Sequence, residues 1–177
     1  MMTRPALRLV EGGLDSTATY LWFCGHCAAP SPNGAAPPPT ARVCTSCGLG
    51  LLLETREDAV PASKDAFLVV DSSLSVQAMS REAQSLLGVS EEAAIDRPVA
   101  ELLVPADAEA GRAGFAAAIA QAAEGHDPDT ARNFVRPWNT FGVRLRARIA
   151  TCGPPRAALV VLENGRPPAL RAVTSPR

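Results

Sequence analysis

"FLVVDSSLSVQAMSREAQSLLGVSEEAAIDRPVAELLVPAD", residues 67–107, changes its hydrophobic period partway along, and that change decides the fold class. With Ala66, its start reads as a short apolar strand (66–71), closed by Asp71, Ser72 and Ser73. Those three are turn formers, so "LSVQAMS" (74–80) is expected to return beside it as the second strand of a hairpin. From Arg81 the spacing turns helical. Ser80 stands where an N-cap hydroxyl is wanted, and Gly88 where the chain leaves a helix in a left-handed turn. Ser90 caps a second short helix, "SEEAAID" (90–96), with Glu91 and Glu92 against the positive end of its dipole. Pro98 suits the first turn of a third, "RPVAELLVP" (97–105).

Downstream, "DAEAGRAGFAAAIAQAAEG" (107–125) reads as a longer helix with Phe115, Ile119 and Ala122 on one face and Gly125 at its end. Then come "ARNFVR" (131–136), a turn at "PWNT", the long strand "FGVRLRARIAT" (141–151), a "CGPP" corner and "RAALVVLEN" (156–164). In the long strand Val143, Leu145 and Ile149 alternate with Arg144, Arg146 and Arg148, a period of two with one face inward. The order is β-β-α-α-α-α-β-β-β. This is the α+β class: a five-stranded antiparallel sheet with its helices inserted between strands 2 and 3.

Upstream the chain changes character. "ETREDAVPASKDA" (54–66) is charged, carries Pro61 and reads as a connector. The expected organisation is an N-terminal tail (1–17), a small cysteine-bearing module (18–56), a linker (57–64), the α+β domain (65–164) and a disordered tail (165–177).

Within the small module, "WFCGHC" (22–27) admits two chemistries, electron exchange or metal binding. The box is similar to that of disulfide isomerases. A redox cysteine of that kind starts a helix, whose field lowers its pKa. "AAPSPNGAAPPPT" (28–40) holds five prolines and cannot be that helix. The metal reading has better support. Cys24-x2-Cys27, sixteen residues, then Cys44-x2-Cys47 offers two tight turns with two sulfurs each, enough to close a tetrahedral shell. Gly48 follows the second turn. "TYLWF", "ARV" and "LGLLLET" flank the turns as strand-like stretches, and residues 18–56 resemble the zinc ribbon family. A structural zinc ion is therefore expected on Cys24, Cys27, Cys44 and Cys47. It would also solve a size problem, since some forty residues bury too little apolar surface to order themselves. His26 is expected to be an exposed turn residue. Tyr20, Trp22 and Phe23 are expected to fill the ribbon's small core.

The element order and the stretch quoted first make residues 65–164 similar to a PAS domain, with Ser80 where many members carry Asn. The resemblance implies a cup between sheet and helices, and a sheet that contacts a protein partner or a second copy as a homodimer. Leu86, Leu102, Phe115, Ile119, Phe134, Val143, Leu145 and Ile149 would line the cup. Either a small ligand or these side chains would fill it; the second is the reading adopted. A flavin adduct needs a cysteine in the helical segment, and residues 80–125 have none. Haem needs an axial ligand, and the domain's one histidine, His126, is expected in a loop. Neither cofactor is expected. Arg144, Arg146 and Arg148, with Arg132 and Arg136, form the candidate partner surface.

Bulk composition narrows the function. A net charge of −1 draws the chain neither to nucleic acid nor to an anionic membrane, and its sixteen Arg to one Lys reflects codon composition. Residues 1–60 carry four Arg against five acids, again counting against nucleic acid. No apolar run approaches the ~20 residues of a bilayer helix, and the start lacks a secretory signal, so a cytoplasmic location is expected. Two histidines in separate modules, no nucleophile with a base and no phosphate loop point away from catalysis. The expected function is a non-enzymatic signalling adaptor acting in trans. A transcription-associated regulator whose ribbon touches DNA or RNA polymerase is the second reading, and a thiol-disulfide oxidoreductase the third.

Overall fold

The strand pattern continues through both modules in the computed structural model, which describes residues 18–106, 111–128 and 133–164. Both expected tails, the beginning of the long helix (107–110) and Arg132 lie outside the described residues. The strands are β1 (Tyr20–Cys24), β2 (Leu52–Arg56), β3 (Ala66–Val70), β4 (Val76–Met79), β5 (Leu103–Pro105), β6 (Asn133–Pro137), β7 (Leu145–Gly153) and β8 (Ala157–Asn164). Helices α1 (Arg81–Leu87), α2 (Glu91–Ala94) and α3 (Gly111–Ala123) fall between β4 and β6. No described helix is long and apolar enough to cross a membrane.

All five strands expected after residue 65 form, but the sheet is not confined to them. Eight strands make one antiparallel sheet in the order β1-β2-β7-β8-β3-β4, with β6 on β7 and β5 on β6. The expectation of a separate five-stranded sheet is corrected by strand β7. β8 pairs along one edge of it from Leu145 to Cys152. On the other edge β6 reaches only Leu145 to Ala147, and β2 takes Cys152 and Gly153. An edge left half bare exposes unpaired N–H and C=O groups. β2 supplies partners at its far end, and Thr55 adds a hydroxyl that donates to the carbonyl of Thr151 at 2.7 Å. "RPVAELLVP" also departs from its helical reading: a single 3-10 turn, Val99–Glu101, gives way to β5.

Alternation along the strands splits the apolar residues between two faces. Leu68, Val70, Leu145, Ala147, Val160 and Leu162 point inward, against Ala83 and Leu87 of α1 and Phe115, Ile119 and Ala122 of α3. Phe67, Val69, Leu159 and Val161 point to the opposite face, where they meet Phe23, Ala28 and Leu53 from the cysteine module.

Ser80 ties the helices to the sheet. Its hydroxyl accepts from the N–H of Ala83 (3.1 Å) and of Phe67 (2.9 Å), and donates to the carbonyl of Asp65 (3.2 Å). All three hydrogen-bonding positions of the group are used. Ser80→Ala is expected to lower the unfolding free energy by about 2 kcal/mol, combining a lost cap with an unsatisfied N–H at buried Phe67. Urea denaturation reads this directly; a loss below about 0.5 kcal/mol would reduce Ser80 to an ordinary surface residue.

Candidate metal centre and the seam it closes

Two backbone turns bring the sulfurs together. Cys24 ends β1, and the chain doubles back so that Ala28 N–H donates to the Cys24 carbonyl at 3.0 Å. In the second turn Gly48 N–H donates to the Cys44 carbonyl and Cys44 N–H to that of Gly50, both at 2.8 Å. Gly48 has φ +69, the left-handed conformation its position requires. The four sulfurs lie within 4.8 Å of one another, with Cys24 to Cys47 at 3.7 Å and Cys27 to Cys44 at 3.9 Å. A tetrahedron of ~2.3 Å metal–sulfur bonds has edges of about 3.8 Å. A disulfide would require ~2.05 Å. All are free thiols. The cluster could hold a metal ion, and an all-sulfur set suits a soft or borderline cation with no open coordination position.

The protonation of the thiols fits a site completed by a cation. Burial pushes the Cys24 and Cys27 thiols up. Cys47 is also pushed up by burial, but N–H groups of Gly50 and Leu49 and the neighbouring thiols of Cys27 and Cys24 bring it down to about 6. The surroundings of Cys47 thus favour its thiolate, and a cation seated between the sulfurs would oppose the effect of burial on Cys24 and Cys27. A redox box needs the reverse, a depressed pKa on its first cysteine at a helix start. Cys24 ends a strand, and a turn follows it.

His26 corrects its expected exposure. It is 7% exposed, and its Nδ1 lies 2.8 Å from Oε2 of Glu91. The other oxygen of Glu91 accepts from the Met79 N–H at 2.9 Å. Glu91, expected only as a dipole partner at the start of α2, therefore joins the first cysteine turn to the end of β4. Gly50 is a second residue the motif reading missed. A Cβ there would run into the Cys24 sulfur and lie 2.7 Å from His26 Cβ. Close approach of the two cysteine turns depends on that missing atom.

The expected cup residues divide. Leu102, Phe115, Ile119 and Leu145 are buried together in the main core, with Val143 and Ile149 packed at its margin. Leu86 is 37% exposed, because Leu87 is the α1 residue that faces inward. Phe134 pairs with Arg146 across β6 and β7, on the opposite face of the sheet. A pocket of about 270 Å³ opens beside the core, between Leu74, Val99, Leu103, Phe115 and Trp138.

The arginine stripe is engaged within the chain. Arg148 Nε lies 3.1 Å from Glu163 and its Nη1 donates to the Asp58 carbonyl at 3.0 Å. Arg146 stands 3.8 Å from the same Glu163, and the Arg144 guanidinium lies 4.0 Å above the Phe134 ring. Arg136 donates to the carbonyls of Trp138 and Thr140, each at 3.2 Å.

Cys152 lies at the seam, buried, with its thiol pushed up to about 12 by desolvation. At pH 8 the thiolate fraction is then about one in ten thousand. Maleimide is expected to leave Cys152 unmodified in the folded protein and to label it on unfolding, as read by mass spectrometry; equal rates in both states would contradict its burial. Ionisation favours the unfolded chain here, so this thiol's contribution to stability holds below its unfolded pKa near 9 and falls away as pH rises from there toward 12.

The family model described as PAS fold matches residues 60–160, more than half of the chain. No curated protein matches it. Among solved structures, a chain from the crystal structure of the E. coli DhaR(N)–DhaL complex is similar at 16% identity and a TM-score of 0.37. The likeness covers 56% of this chain and 31% of that one, so this chain spans under a third of the other's length.

Proposed function

The chain belongs to the PAS family, and from that premise we propose that it is a non-enzymatic signalling adaptor, whose zinc ribbon is a structural extension of its PAS sheet. The observation that carries this reading is the four-sulfur cluster on two turns whose strands run directly into that sheet. Four thiolates around zinc leave no position for water, so the metal holds shape and does no hydrolysis. Signalling then runs through protein contacts. The ribbon's exposed edge supports this: Val43, Leu49 and Leu51 are all open to solvent there and none is basic. Apolar residues of that kind suit a protein surface better than a phosphate backbone.

Native mass spectrometry tests the metal half. The purified chain is expected to carry one zinc and to release it in acid, because protons then compete for the sulfurs. Protein isolated with a Cys24–Cys27 disulfide and no metal would return the box to redox chemistry.

A further inference from the structure

We propose that Glu91 couples the four-cysteine site to the PAS helices, so that metal loading and the packing of α2 against β4 form one equilibrium. The inference rests on the zinc reading above and goes beyond it, because metal occupancy is then registered inside the PAS domain. Three consecutive hydrogen bonds carry it. The His26 N–H donates to Cys24 Sγ at 3.4 Å. The His26 ring lies against Glu91, with Nδ1 2.8 Å from Oε2. Oε1 of the same side chain accepts from the Met79 N–H at 2.9 Å. Glu91 is the first residue of α2 and Met79 the last of β4, so a candidate metal ligand is tied to both elements. β4 ends the sheet order, and Glu91 takes the place of a further strand for that N–H.

The cysteine module is held to the sheet at several points, and this one differs from the rest in what it touches. Pairing of β2 with β7, the Thr55–Thr151 and Arg148–Asp58 hydrogen bonds and the shared core with Phe67 and Leu159 fix the module to β7, β8 and β3. The first cysteine turn reaches past them to β4. The Cβ that Gly25 lacks would stand 3.7 Å from Ala78 Cβ. His26 is 7% exposed, so little water competes for its ring. Metal sites hold their ligands to about 0.2 Å, so a loaded site fixes Cys24 and, two residues on, the ring that faces Glu91. Glu91 in return holds the turn in the arrangement that brings the sulfurs together. It is a positioning residue, acting on the sulfur through His26. Linkage makes the two effects equal: the factor by which Glu91 strengthens metal binding is the factor by which metal strengthens the contact of α2 with β4.

Chelator competition for zinc and amide hydrogen exchange on the full chain test the proposal. Glu91→Ala is expected to lower zinc affinity about tenfold. Glu91→Gln should restore it, because the amide oxygen still accepts from Met79 and the NH2 group can donate to the ring. In the wild-type chain, stripping zinc under reducing conditions should speed exchange at the Met79 amide about tenfold, relative to amides over 66–70 and 157–162. In Glu91→Ala that amide should exchange fast with zinc or without it, whereas a merely structural Glu91 would leave the zinc dependence in place. Thr55→Val, which cuts a hydrogen bond at the β7 end, should keep the dependence. His26→Ala breaks the same contact from the other side and should reproduce both effects, also if Glu91→Ala folds poorly. Equal zinc affinity in the wild type and Glu91→Ala overturns the proposal, as does stripping that speeds exchange equally over 66–70 and 157–162. A chain that takes up no zinc fails the zinc reading itself, and the inference with it. One that binds zinc with Met79 exchange unmoved fails the inference alone.

Discussion

Gly50→Ala is expected to weaken zinc binding at the proposed site although all four cysteines remain. The new methyl would fall against the Cys24 sulfur, 2.7 Å from His26 Cβ and 2.9 Å from the His26 nitrogen. None of these is the far end of a flexible side chain, so the two cysteine turns must part. Metal sites tolerate about 0.2 Å in ligand distance. Zinc affinity is expected to fall by up to about a hundredfold, as when the groups that orient metal ligands are disturbed. Competition with a chromophoric chelator measures it. Gly48→Ala is the control. Its φ of +69 makes a side chain costly, but no atom stands within 4 Å of the added methyl. That variant should lose about 1 kcal/mol of stability and keep its affinity within about tenfold. Equal, near-native affinity in both variants would show that the two turns have room to part without disturbing the sulfurs.

What was legible in the sequence was local chemistry. The CxxC pairs, the serine caps and Gly88 each act within a few residues, and each stands where expected, with Gly88 at φ 66. Period-two alternation likewise located β7 and showed which of its residues face inward. The union of the cysteine module with the sheet was not legible, because β2 and β7 join through backbone hydrogen bonds about a hundred residues apart, to which the Thr55 hydroxyl adds one more. His26 and Glu91 are separated by 65 positions. Each looked complete alone, one as a turn residue and the other as a helix-start acid. Gly50 did carry a signal, as the second glycine of "CGLG", but only the close approach of the other turn gives it meaning. Leu86 and Leu87 are adjacent and equally apolar, so a two-turn helix left open which of them faces the core.

Phe23→Ala is expected to destabilise the whole protein and not only the cysteine module. The aromatic trio of β1 was expected to fill a private core, and the structure divides it. Tyr20 is half exposed, Trp22 packs near the sulfurs under the Arg42 guanidinium, and Phe23 is fully buried against the PAS sheet. Removing a buried phenyl ring leaves a cavity that costs about 3–5 kcal/mol. That loss should appear in a single cooperative unfolding transition, reported alike by ribbon and sheet amides in hydrogen exchange. Phe67→Ala should cost a similar amount, because the two rings share one contact. The double variant should therefore lose less than the sum of the singles, with a coupling of about 0.5–1.5 kcal/mol. Trp22→Ala, removing a half-buried ring, should cost stability less and zinc affinity more. If Phe23→Ala instead left the unfolding of residues 66–164 unchanged, the cysteine module would be a tethered unit, and the seam at β2 and β7 would be an accident of proximity.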